Sequence, residues 1–98
     1  MGQYEIFLKS AAVRDLDRLR KYDAATIADG IEKFLETDPR RESKSRVKRL
    51  RGIRDPDYRL RIGEYRVFYS VDDAKKRVNV LRVLHKDQTR KYYQEVQK

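Results

Sequence analysis

One stretch constrains this chain more than any other: Tyr58-Arg-Leu-Arg-Ile-Gly-Glu-Tyr-Arg-Val-Phe-Tyr69. Apolar and basic residues alternate on both sides of Gly63-Glu64, which reads as two β-strands joined by a two-residue turn. Glycine supplies the positive φ that a type II′ turn requires. A loop that short fixes the register. Ile62 pairs with Tyr65, Arg61 with Arg66 and Leu60 with Val67, and Arg59 lies opposite Phe68. One face of the hairpin is then Tyr58, Leu60, Ile62, Tyr65, Val67 and Tyr69. The other carries Arg59, Arg61, Arg66 and Phe68. Arg61 opposite Arg66 is a like-charge pair, which costs a sheet about 0.2–1 kcal/mol. A polyanionic ligand relieves that repulsion. Arginine forks suit phosphate oxygens, and guanidinium planes and Phe68 suit stacked bases. The alternative is that nearby Asp or Glu residues neutralise the three arginines.

The remaining segments build around this hairpin. Tyr4 to Lys9 alternates and predicts a first strand. Ser10 is placed to cap a helix whose apolar stripe is Ala12, Leu16 and Leu19, with Arg14, Asp15, Asp17, Arg18 and Lys21 on a solvated face. Asp23 is placed to cap a second helix that turns Ala24, Ile27, Ile31, Phe34 and Leu35 inward and ends at Asp38-Pro39. The short spacing predicts an antiparallel helical hairpin. Arg40 to Arg51 reads as a basic connector anchored by Val47 and Leu50, and Gly52 to Asp57 as a turn. Strands are expected at Tyr58 to Ile62, Tyr65 to Val71 and Val78 to Leu84. Thr89 to Val96 is a short helix or a tail. The fold class is therefore α+β, in the order β-α-α-β-β-β, with the helices on one face of a mainly antiparallel four-stranded sheet and the other face available. A single domain over residues 1–98 is the natural reading of this length.

Charge narrows the partners. Twenty-five Lys and Arg against 16 Asp and Glu give a formal net charge of +9. Such a surface attracts nucleic acid, an acidic protein, or both. A membrane surface fits less well, because the basic residues do not lie opposite a large apolar helix face. With no cysteine and one histidine, disulfides and thiolate catalysis are excluded and a metal site is not expected. No apolar run approaches a membrane span and no secretory segment is visible, so a complete, cytoplasmic, cofactor-free chain is expected.

Beyond the hairpin, His85, Lys86, Tyr92 and Tyr93 are the remaining polar candidates. A lone histidine is more often a surface or capping residue, and the two tyrosines serve equally well as helix-packing residues. Together with the hairpin, however, these residues carry a resemblance. Ser10-Ala-Ala-Val-Arg-Asp-Leu16, Lys48-Arg-Leu-Arg-Gly52, the Tyr58–Tyr69 stretch, Val80-Leu-Arg-Val-Leu-His-Lys86 and a late tyrosine resemble the RelE/ParE superfamily of toxin–antitoxin toxins, the RelE branch in particular.

The resemblance implies a basic sheet face that binds mRNA in the ribosomal A site. There a ribose 2′-hydroxyl attacks the adjacent phosphate, with no metal required. It implies phosphate binding and transition-state charge at Arg59, Arg61 and Arg66, a base-orienting role for Tyr92 with Tyr93 as its rival, and an acid or electrostatic role for Lys86. Lys44, Arg46, Lys48, Arg49, Arg51, Phe68 and Tyr93 complete the implied RNA contacts. Arginine does not give up its proton, so where the family uses a lysine base this chain needs another group, and His85 is the expected substitute. The resemblance also implies a cognate antitoxin, an acidic segment that wraps the basic surface or displaces the chain from Thr89 onward, and it allows a higher-order toxin–antitoxin complex. Two other readings share the fold: a ParE-like inhibitor of DNA gyrase that cuts nothing, and a nucleic-acid-binding module without catalysis.

Overall fold

The computed structural model describes residues 3–97. The order is β1 (Glu5–Leu8), α1 (Ser10–Asp17), α2 (Lys21–Leu35), β2 (Val47–Arg49), β3 (Tyr58–Ile62), β4 (Tyr65–Asp72), β5 (Arg77–His85), a single 3₁₀ turn (Lys86–Gln88) and α3 (Thr89–Val96). The hairpin adopts the expected register, with Arg61 opposite Arg66 and Arg59 opposite Phe68. Gly63 has φ +58°, the left-handed value its turn position demands.

The sheet differs from expectation in its strand number, while three of its four pairings are antiparallel, in keeping with a mainly antiparallel sheet. It has five strands rather than four, in the order β1-β5-β4-β3-β2. The added strand, β2, spans three residues, two of them basic, so no alternation announces it; pairing of Val47 with Leu60 creates it. The remaining pairing, β1 with β5, is parallel and makes the sheet mixed. The anticipated helix caps do not form. Lys9 and Arg20 occupy the N-cap positions without side-chain capping bonds. Ser10 begins α1, and Asp23 lies in the first turn of α2, where its charge faces the positive helix end and Arg20 at 3.8 Å.

Both helices pack on one face. Ala12, Ile27, Ile31 and Leu35 meet Tyr58, Leu60, Ile62, Val67, Tyr69, Val78, Val80 and Val83 in the main core. Gly30 lets α2 approach β3 closely, since a β-carbon there would sit 2.6 Å from Ile62 Cδ1. Asp15, expected to be solvated, is buried instead. β1 ends at Leu8, so the second half of β5 has no strand neighbour on that side, and α1 packs along it. The Asp15 carboxylate there accepts the Val83 N–H at 2.8 Å and both Nε and Nη2 of Arg82, at 2.8 and 2.9 Å. A buried charge is tolerated because three donors surround it.

The second sheet face is not fully open. α3 lies on it, and Phe68, Leu84 and Tyr92 form a second small core with Leu50, Tyr93 and Val96 at its edge.

Candidate nucleic-acid interface

Strand alternation and register place each candidate side chain. On β3 and β4, Tyr58, Leu60, Ile62, Tyr65, Val67 and Tyr69 join the main core, so Arg59, Arg61 and Arg66 project from the opposite face. Lys48 pairs with Arg59 across β2 and joins that face. Arg61 and Arg66 avoid each other by turning to main-chain carbonyls. Arg61 Nε donates to Ser45 O at 3.0 Å, and Arg66 Nη1 donates to Gly63 O and Tyr65 O, both at 3.0 Å. Arg59 Nε is buried and without a hydrogen-bond partner. Among the described residues, no carboxylate lies within ion-pair distance of any of the three. The neutralised alternative therefore does not hold. Burial, followed by repulsion from Arg59 and Arg61, lowers the proton affinity of Arg66 below its ordinary value.

A β-bulge decides what joins this face from β5. Phe68 pairs with Arg82 but Tyr69 pairs with Val80, leaving Leu81 as the extra residue. An extra residue reverses which side the following side chains take. Leu84, opposite Arg66, therefore falls on the arginine face, in the small core with Phe68. Lys86 follows it, and its N–H donates to Glu64 O at 2.8 Å. Its Nζ reaches Glu64 Oε1 at 3.1 Å. Glu64, silent in the sequence as half of a turn, thus sits among the cations. Lys86, chiefly through this hydrogen bond, holds the Glu64 carboxyl below the usual carboxylate range.

The same bulge turns His85 away. It pairs with Tyr65 on the helix side, with ring centroids 5.5 Å apart and nearly perpendicular. It lines a cavity of about 200 Å³ with Arg18 and Leu19. Its Nδ1 accepts the Asp87 N–H at 3.1 Å, which caps the 3₁₀ turn. The lone pair that a neutral imidazole uses as a base is occupied there, and the ring lies on the wrong face. His85 is a capping residue, and the expected base role is corrected.

Four other candidates move as well. Phe68 is 0% exposed and Tyr92 is 7% exposed. Their rings pack together at 4.7 Å, so neither offers a stacking surface to a base. Burial pushes the Tyr92 phenol up to about 12. Tyr93 is only half-buried, edge-on to Phe68 at 5.7 Å, and is the more accessible of the two tyrosines. Arg46 lies over the Phe34 ring at 4.6 Å and Arg49 over the Tyr58 ring at 5.7 Å. Both rings belong to the helix side, which takes these arginines off the basic face. Lys44 and Arg51 are exposed. Among the described residues no cluster of three or more His, Cys, Asp or Glu could hold a metal ion, and no helix is long and apolar enough to cross a membrane.

Fold and site together define a small α+β protein with a cationic, carboxylate-poor sheet face suited to phosphates. Residues 6–90 match the family model of the ParE toxin of type II toxin–antitoxin systems. The chain belongs to the RelE/ParE superfamily of type II toxin–antitoxin toxins. It is 31% identical to Toxin RelE of Mycobacterium tuberculosis over 80 residues, 82% of this chain and 78% of that protein. Among solved structures it is similar to a chain of the toxin–antitoxin complex RelBE2 from the same organism, with 30% identity, a TM-score of 0.71, and coverage of 85% of this chain and 91% of that one. It is also similar to the isolated Escherichia coli RelE toxin, with 26% identity, a TM-score of 0.70, and 95% of each chain covered.

Proposed function

We propose that this toxin is a ribosome-dependent, metal-independent endoribonuclease that cuts mRNA in the A site and so stops translation. One observation carries the reading. Arg59, Arg61 and Arg66 share one sheet face with no carboxylate partner among the described residues; Arg61 and Arg66 turn to main-chain carbonyls, and Arg59 Nε has no hydrogen-bond partner. An RNA backbone supplies the missing negative charge. Arg61 and Arg66 hold the phosphate oxygens and stabilise the charge that builds as the ribose 2′-hydroxyl attacks, while Arg59 and Lys48 receive the flanking backbone. Tyr93 takes the base-contacting role in place of Tyr92.

Residues 1–98 are read as one cytoplasmic domain with mRNA and the ribosome as its targets. A cognate antitoxin restrains it, a reading supported by similarity to a toxin solved in its antitoxin complex. An acidic antitoxin segment neutralises the arginine face or displaces α3 from it.

Primer extension on a defined mRNA in a purified translation system tests this. Cuts within A-site codons are expected, absent without ribosomes and lost in the Arg61→Ala/Arg66→Ala variant. The ParE family match favours one rival, a gyrase inhibitor that leaves RNA intact. Intact mRNA together with blocked DNA supercoiling would establish that rival.

A further inference from the structure

Cleavage through the 2′-hydroxyl needs a group that takes its proton, and the Glu64 carboxylate at the hairpin tip is placed for it. Arg59, Arg61 and Arg66 do not deprotonate. His85 lies on the helix side with Nδ1 engaged by the Asp87 N–H. Tyr92 is buried against Phe68. Asp55, at the far end of the face, is held by the Ser70 hydroxyl. Asp87 is turned to His85 Nδ1. Glu64 remains. Its carboxylate is 63% exposed, at the hairpin tip two residues before Arg66, and it touches Lys86 Nζ at 3.1 Å. Two cations act on it from its own side, Lys86 and Arg66, and His85 at the end of β5 is a more remote titratable neighbour.

Resting on the ribonuclease reading above, we infer that Glu64 is the general base of this toxin and that Lys86 is its paired acid. A phosphate docking on Arg61 and Arg66 competes with Glu64 for the Lys86 ammonium. The four-carbon lysine stem lets Nζ swing to the leaving-oxygen side while the carboxylate stays at the turn. Glu64 accepts the 2′-hydroxyl proton as O2′ bonds to phosphorus. The P–O5′ bond breaks, and the departing O5′ takes a proton from Lys86 Nζ. The products are a 2′,3′-cyclic phosphate and a 5′-hydroxyl. Glu64 is left protonated and Lys86 neutral, and the 3.1 Å contact between them returns the proton and resets the pair. The negative phosphate also raises the proton affinity of the carboxylate once Lys86 has moved away, which improves the base when substrate is present.

The opposite role is equally definite: a counter-ion that merely occupies Lys86 until RNA arrives. Single-turnover cleavage of mRNA on programmed ribosomes separates the two, run across pH for the wild type, Glu64→Gln and Glu64→Asp. Binding is measured in parallel with an A-site codon whose attacking sugar is 2′-deoxy. A general base predicts a fall of roughly 10²–10⁴-fold in the Gln variant, binding equal to or tighter than wild type, loss of the acid-side limb of the pH profile, and partial recovery with Asp. An unchanged melting temperature shows that the variant is folded, as expected for an exposed turn residue. A Gln variant that cuts as fast as wild type, or faster, overturns the base role and leaves the ribonuclease reading standing. A wild-type protein that leaves the mRNA intact overturns both.

Discussion

Removing the Asp15 carboxylate should show how the free half of β5 is closed. In Asp15→Ala, the Val83 N–H loses its acceptor at 2.8 Å. A buried donor left unpaired costs about 1–3 kcal/mol. Arg82 also loses two charge-assisted bonds, but its side chain is 29% exposed and water replaces much of that loss. About 1 kcal/mol is a reasonable allowance for it. The expected total is about 2–4 kcal/mol, or roughly 15 °C in melting temperature for a domain of this size. Asp15→Asn keeps an oxygen for the Val83 N–H but surrenders the charge, and should lose only about 1–2 kcal/mol. Urea unfolding gives the energies, and hydrogen exchange at the Val83 amide gives the mechanism, since protection should collapse in the alanine variant and survive in the asparagine one. Equal losses for the two variants, or a Val83 amide equally protected in both, would refute the edge-capping argument.

Two further outcomes follow from packing. Gly30→Val should destabilise the fold by roughly 1–3 kcal/mol, because even a β-carbon meets Ile62 Cδ1 at 2.6 Å; Gly30→Ala should be near neutral by thermal melt, its better helix propensity offsetting the displaced methyl. The Tyr92 phenol titrates at about 12 when folded against an ordinary 10.0. A raised acid stabilises the fold fully below the ordinary value and is lost as pH climbs through the folded one. α3 should therefore loosen between about pH 10 and 12. Tyrosinate absorbance should show a late step that Tyr92→Phe removes, and an unchanged titration in that variant would contradict the packing.

Much of the site was legible because alternation and turn length are local properties. Arg59, Arg61 and Arg66 reach one face through a register that Gly63-Glu64 dictates. β2 was not legible, since three residues with one apolar anchor carry no period of their own. Asp15 was misread for a related reason. Its helical position looks solvated until β1 stops short and leaves a strand edge that needs an acceptor. Phe68 and Tyr92 looked accessible because a segment as short as Thr89 to Val96 gives little sign of whether it docks on the sheet.

The sequence alone settled the hairpin, its register, the main apolar anchors of the helices and the resemblance to the family. Tertiary structure decided which side chains at the end of β5 meet the arginines. Alternation counted straight through β5 runs from Val80, on the helix side, to Arg82, Leu84 and Lys86 on that same side, and puts His85 on the other. The bulge at Leu81 reverses that parity, sending Lys86 to the basic face beside Glu64 and His85 to the helices. A bulge forms where the partner strand and the packing on both faces require it, and neither is encoded within the nine residues of β5.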